Sequence, residues 1–291
     1  MGLATFHEQL LDPVREVLVQ QLAQVGVPEL KAAMLHLVGR GKLFRPVLAL
    51  ATYQVLGGTD LERQVPLVTP LELIHTFTLI HDDLPCMDDA ELRRGVPAVH
   101  IAHGEAMAVL SGDALANMAL MLLAQEPPEV ELGVRVGLIR AATRATQAVV
   151  EGQVLDMLWE GRELTEVELQ RMHLLKTGSL LGACCETGAL LAGASPEVVS
   201  KLREYGQGLG LAFQIRDDLL SYESTEEQMG KTLSIDEVKE KPTYARLLGV
   251  DSAHQRLEQS LAKQLGIIAD LELPQRGLLR EITAWVGRRE R

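Results

Sequence analysis

The sequence predicts an all-α protein, and two observations carry that reading. Apolar residues recur at helical spacing along most of the 291 residues, and no convincing run of strict apolar–polar alternation interrupts them. The proline and glycine punctuation falls between the periodic stretches rather than inside a Gly/Ser-rich or Pro-rich linker, so the chain reads as one domain, residues 1–291, with its most apolar helices inside.

In chain order, helices are expected at 4–24, 43–57, 65–83, 103–125, 130–159, 165–192, 196–222, 234–248, 251–270 and 275–288. Gly57-Gly58 closes the second, and Asp60 offers a helix start before the third. Pro85 ends the third, and Pro127-Pro128 separates the fourth from the fifth. Gly161 stops the fifth helix, after which Thr165-Glu166-Val167-Glu168 reads as a capping box. The stretch from Gly193 to Ser195-Pro196 breaks one helix and starts the next. Gly230 and Pro274 mark the remaining boundaries.

Composition excludes several function classes. The formal charge is −12, which argues against a general nucleic-acid binder, because that needs a basic footprint. Four Phe, four Tyr and two Trp leave little for base-stacking or sugar-binding shelves. A 47% hydrophobic content with 23% charged residues describes a globular chain, not a disordered one. Cys86, Cys184 and Cys185 make neither a disulfide framework nor a CxxC metal pair, which fits a reducing compartment. Met1–Gln20 carries charges throughout, and no apolar run reaches the roughly 18 residues of a membrane span. The expectation is a soluble, cytoplasmic protein without a membrane span.

The strongest local feature is Leu79-Ile80-His81-Asp82-Asp83-Leu84-Pro85-Cys86-Met87-Asp88-Asp89. Its four carboxylates are embedded in apolar sequence rather than in a polar turn. Carboxylates packed together and partly desolvated repel, so such a cluster wants cations. Oxygen-only ligands suit Mg²⁺, which binds through a few carboxylates and substrate phosphates. Asp82 and Asp88 would point about 240° apart on an unbroken helix, and Pro85 disturbs that turn so that Asp88 can return toward Asp82. A second acid pair, Asp217-Asp218, ends the apolar run from Leu211. The two pairs read as two walls of one metal–diphosphate site.

Basic residues stand beside them. Lys42 and Arg45 lie three apart at a helix start, where backbone amides also favour an anion, and Arg93-Arg94 follows the first acid cluster. Lys176, Lys231 and Lys241 accompany the later helices. Arginine grips phosphate with two hydrogen bonds and lysine acts as a mobile point charge. Singly, each is compatible with a surface salt bridge; together with two acid pairs they indicate a diphosphate site. The run Gly206-Gln207-Gly208-Leu209-Gly210 lacks a preceding strand and is better read as close helix packing than as a phosphate loop. His100 and His103 have no third ligand nearby for zinc.

From about Gly41 to Gly249 the chain resembles the trans-type polyprenyl diphosphate synthases, in particular their short-chain farnesyl and geranylgeranyl diphosphate synthase branch. The residues carrying the resemblance are Gly41-Lys42, Arg45-Pro46, the acid-rich run Leu79–Asp89, Leu92-Arg93-Arg94-Gly95, Gly104-Glu105-Ala106 and Gly112-Asp113-Ala114-Leu115. Gly152-Gln153, Lys176-Thr177-Gly178 and Phe213-Gln214 with Asp217-Asp218 extend it. The resemblance implies a helical bundle around a deep central cavity, a homodimer, and head-to-tail condensation of isopentenyl diphosphate with an allylic diphosphate such as dimethylallyl or geranyl diphosphate. It implies Mg²⁺ on Asp82, Asp83, Asp88, Asp217 and Asp218, three ions per site with the allylic diphosphate bound, Mn²⁺ being a possible substitute. It also implies isopentenyl diphosphate on Lys42, Arg45, His75 and Arg94, and the allylic diphosphate on Arg93, Lys176 and Lys231 with Lys241 near it. Thr177 and Gln214 would face the developing cation.

The second acid motif of the family is DDxxD, whereas here its last position is Ser221, a neutral and weaker partner four residues from Asp217. Phe77, about 7.5 Å along the helix axis before Asp82, and Thr78 stand where the allylic tail would grow. An aromatic there resembles the farnesyl-forming type, with geranylgeranyl formation as the alternative product and simple core packing as the alternative role. A class I terpene cyclase would place an acid where Thr225 stands and has no use for the basic set around Lys42, Arg45 and Arg94. A non-catalytic partner subunit would have lost acids of the first motif, which are all present.

Overall fold

The computed structural model describes residues 2–125, 130–229 and 242–289. It is almost wholly helical. In order come α1 (Leu3–Leu22), α2 (Pro28–Leu35), α3 (Phe44–Val55) and α4 (Leu61–Asp82), then β1 (Leu92–Arg93), β2 (Val96–Pro97), α5 (Val99–His103) and α6 (Glu105–Gln125). There follow α7 (Leu132–Leu158), α8 (Glu166–His173), a π-helical turn at Leu174–Gly178, α9 (Ser179–Leu191) and α10 (Pro196–Met229). The chain closes with α11 (Tyr244–Leu248), α12 (Val250–Asp270) and α13 (Gly277–Arg288).

Sequence chemistry explains the hierarchy of burial. Every residue of α9 from Leu180 to Ala189 is buried, as its small and apolar composition on all faces demands, and it packs against α3, α7 and α10. α4 packs on α3 and α6, and α12 covers α10. The glycine run in α10 serves close packing, as expected: a Cβ at Gly206 would come 2.4 Å from the Leu181 carbonyl oxygen, and one at Gly210 2.6 Å from Gly178 Cα. The apolar core extends from Phe6 on α1 to Val286 on α13.

The caps read from sequence are present. Asp60 accepts from the Arg63 backbone N–H at 3.2 Å, Thr165 and Glu168 form the reciprocal capping box, and Ser195 Oγ accepts from Val198 N–H at 3.4 Å. α4 therefore starts at Leu61, four residues before the expected boundary, and accommodates Pro66 and Pro70.

Elsewhere the structure corrects the sequence reading. A short helix, α2, occupies 28–35 with Pro28 at its first turn. Gly104, at φ 87°, separates α5 from α6, and α10 continues past 222 to Met229. The expected helix 165–192 is three pieces, because the π turn inserts an extra residue without interrupting the apolar pattern. Of the helix expected at 234–248, residues 234–241 lie outside the described part and α11 is what remains. One small hairpin was not expected. Leu92 pairs with Pro97 and Arg93 with Val96, around a two-residue loop in which Arg94 and Gly95 have φ of 54° and 77°. Both positive values are what a type I′ turn requires.

Candidate active site

The first acid cluster sits where α4 ends. After Asp82 the chain folds back under Pro85, and the Asp88 N–H donates to the Asp82 carbonyl at 2.8 Å. The turn thereby returns Asp88 to Asp82, as Pro85 suggested. Asp82 is half-buried, and burial pushes its carboxyl up to about 6, with Lys176 pulling it down and Asp88 pushing it further up. Asp83 has a different environment. It is 0% exposed and accepts from Arg93 Nε at 2.9 and 3.1 Å and again from Arg93 Nη2. The hairpin thus commits Arg93, expected on the allylic diphosphate, to Asp83, expected on metal.

The second acid pair lies on α10. Asp217 is half-buried, with its carboxyl pushed up to about 6 by burial against the pull of Arg289, whose guanidinium forms an ion pair with it. Asp218 is buried, accepts from the Tyr244 N–H at 2.9 Å and faces His173 Nε2 at 3.4 Å, so it anchors α11 to α10. Ser221 is exposed one turn beyond Asp217.

Lys176 and Thr177 lie in the π turn, whose wider winding brings both toward α7 and α10. Lys176 Nζ bonds Asp156 at 2.6 Å, and Thr177 Oγ1 donates to Gln214 Oε1 at 3.0 Å. Gly152 permits this approach, since a Cβ there would meet the Lys176 backbone nitrogen at 2.3 Å. Asp156 was not singled out from sequence, although it stands three residues after Gln153 on the same face of α7.

Part of the basic set shares one cavity, while Arg93 and Lys176 pair elsewhere. Lys42, Arg45, His75, Arg94 and Thr177 line one cavity with Glu72, Phe213, Trp285 and Arg289. Arg94 Nη2 bonds Glu72 at 2.8 Å and its Nη1 donates to the Leu37 carbonyl at 3.0 Å. Buried Arg45 Nε has no hydrogen-bond partner. Burial, then Arg45, Arg94 and Arg93, hold His75 well below the usual imidazole range, so it is neutral. Lys42 Nζ lies 5.7 Å from the centre of the Trp285 ring. Glu72 and Arg289 were missed from sequence. Phe77 is 7% exposed, edge-on to His81 at 5.8 Å, and Thr78 Oγ1 donates to the His75 carbonyl at 2.8 Å. Lys231 and Lys241 lie outside the described residues.

Among the described residues no group of three or more His, Cys, Asp or Glu closes on a point as a self-sufficient metal cage. The donors present still suit Mg²⁺. Asp82 and Asp217 are half-buried carboxylates, both raised to about 6 by burial, and their oxygen-only chemistry is what Mg²⁺ takes.

Comparisons with known proteins identify the family. Residues 27–272 match the model of the polyprenyl synthetase family. The chain is 40% identical over 265 residues to the farnesyl diphosphate synthase of Bacillus subtilis, covering 90% of this chain and 89% of that one. It is 42% identical over 221 residues to a geranylgeranyl diphosphate synthase of Cyanophora paradoxa, covering 75% and 73%. The crystal structure of an FPP/GFPP synthase from Zymomonas mobilis superposes with a TM-score of 0.86 at 32% identity, covering 98% of both chains. The match of residues 27–272 to the family model, with relatives about 40% identical over most of both chains, places the chain in the polyprenyl synthetase family.

Proposed function

We propose that the chain is a short-chain prenyltransferase, folded as a single domain, that joins isopentenyl diphosphate to dimethylallyl and geranyl diphosphate and stops at farnesyl diphosphate. The observation that carries the reading is the convergence of Lys42, Arg45, His75, Arg94 and Thr177 on one cavity. Relatives named for farnesyl and for geranylgeranyl diphosphate match at similar identity, so geranylgeranyl diphosphate is the second product reading.

Arg45 and Arg94 hold the diphosphate of isopentenyl diphosphate, helped by Lys42 at the cavity rim, and neutral His75 offers a hydrogen bond without adding charge. Lys176, set in place by Asp156, holds the allylic diphosphate. Asp82, Asp88 and Asp217 would carry the divalent cations, which, when bound, neutralise the leaving diphosphate and assist its departure. The allylic C–O bond breaks, the isopentenyl double bond supplies the electron pair of the new C–C bond, and loss of a proton to the released diphosphate restores a double bond. Thr177 and Gln214, joined by their hydrogen bond, present oxygen atoms toward the cationic carbon. Asp83 and Arg93, paired with each other, brace the turn that sets Asp82 and Asp88.

A homodimer in the cytoplasm is part of the same reading. α6 is long and apolar, yet less than half of that stretch is buried. Leu110 on α6 is 56% exposed, as Val150 and Val154 on α7 are in smaller measure, and a second copy covers this face. Incubation with isopentenyl diphosphate, each allylic primer and Mg²⁺, followed by measurement of product chain length, tests the activity. No condensation with any primer overturns it. Light scattering of wild type and Leu110→Glu tests the dimer.

A further inference from the structure

A cavity built to take an anion contains one residue that should repel it. Glu72 lines the basic cavity, is 1% exposed, and lies one turn before His75 on α4. Its Oε1 takes Arg94 Nη2 at 2.8 Å, while Oε2 is buried without a hydrogen-bond partner, as is Arg45 Nε. Burial pushes the Glu72 carboxyl up, and Arg94 and Arg45 pull it down. A buried carboxylate is costly unless it is paired and useful.

Its use follows from where Arg94 sits. Arg94 is the first residue of the two-residue loop between β1 and β2, at positive φ, and its backbone alone does not fix a long side chain. Two groups fix it: the Leu37 carbonyl oxygen, a neutral acceptor, and Glu72, a charged one. We propose that Glu72 is a positioning residue for isopentenyl diphosphate, holding Arg94 against the cavity wall and offsetting the mutual repulsion of Arg94 and Arg45 until the diphosphate enters. The proposal rests on the prenyltransferase reading. It makes Glu72 specific to one of the two substrates, since the allylic diphosphate is held elsewhere.

The test is a comparison of Glu72→Ala and Glu72→Gln, by calorimetric binding of isopentenyl diphosphate and by steady-state kinetics in both substrates. Loss of a charge-assisted bond predicts that Glu72→Ala raises the Kd and KM for isopentenyl diphosphate about tenfold or more. The KM for geranyl diphosphate and kcat stay within about twofold on the same argument. Glu72→Gln, which keeps an acceptor oxygen for Arg94 but not the charge that offsets Arg94 and Arg45, recovers part of the loss. On an Arg94→Ala background, Glu72→Ala adds less than about twofold, because the bond it removes is already gone. A proportional loss for both substrates, a Gln variant as poor as the Ala variant, or full additivity with Arg94→Ala overturns the proposal. If Glu72→Ala does not fold, Glu72→Asp, one methylene too short to reach Arg94, takes its place in every comparison. A wild type that binds isopentenyl diphosphate without condensing it sinks the prenyltransferase reading and leaves Kd to decide the role of Glu72. A wild type that does not bind it sinks both.

Discussion

Arg289, just beyond the end of α13, forms an ion pair with Asp217 on α10 and places its guanidinium 4.2 Å from the centre of the Phe213 ring. Arg216 Nε adds a bond to the Arg289 carbonyl at 3.0 Å, so the C-terminal segment is tied to the helix that bears the second acid pair. A guanidinium and a divalent cation are rivals for one carboxylate. Arg289→Gln is therefore expected to tighten Mg²⁺ binding by about two- to fivefold, the range for a partly exposed ion pair. Calorimetric titration of Mg²⁺ into protein with inorganic diphosphate measures this. Weaker binding in the variant would mean that Arg289 supports the site instead of competing with its cation.

Ser221 stands four residues after Asp217, on the same side of α10. A carboxylate there would add a second charged oxygen donor to that wall. Ser221→Asp is expected to lower the Mg²⁺ concentration needed for half-maximal rate severalfold, with kcat little changed. An unaltered Mg²⁺ requirement counts against this position reaching the metals at all.

The chemistry of the site was legible where it is written locally. Acids inside apolar sequence marked Asp82, Asp88 and Asp217, and Pro85 explained the return of Asp88. Their division of labour was not legible. Asp83 and Asp218 look like their neighbours in sequence, and only a hairpin ten residues on and a backbone N–H 26 residues away occupy them. The π turn escaped notice because one extra residue in a winding leaves the apolar spacing of 165–192 nearly unchanged. Glu72 was hidden among the apolar residues of α4, and Arg289 in a basic C-terminal run that reads as a solvated helix end.

Asp82 makes stability depend on pH in an unusual direction. Its carboxyl is raised to about 6 by burial, so between pH 4 and 6 the folded chain keeps a proton that the unfolded chain has lost. Stability contributed by this group is full at the acid end and is lost as pH rises through 6. In EDTA, Asp82→Asn is expected to raise the unfolding free energy by about 1–2 kcal/mol at pH 7.5, after discounting for partial exposure. The advantage should shrink to about a third of that at pH 4.5, as chemical denaturation at both pH values will show. An equal effect at both would mean that the charge of Asp82 costs the fold nothing.

Phe77 lies five residues before Asp82 on α4, and its ring is held rather than loose. It meets His81 edge-on at an interplanar angle of 77°, and His81 Nε2 is within 3.1 Å of the Val109 carbonyl on α6. α6 can approach that closely because position 112 is glycine, where a Cβ would fall 2.1 Å from His81 Nε2. A ring braced from behind by a histidine that is itself locked to the next helix can act as a rigid stop for a growing apolar tail. Phe77→Ala removes the stop and is expected to shift the product from farnesyl toward geranylgeranyl diphosphate, read by chromatography of the dephosphorylated alcohols. Truncating a buried Phe also costs about 3–5 kcal/mol of stability, so the assay belongs at a temperature where a melting curve shows the variant folded. Phe77→Leu, which refills part of the volume, should give an intermediate product ratio. A product spectrum unchanged in both variants would leave Phe77 a core residue and put the chain-length stop on other residues.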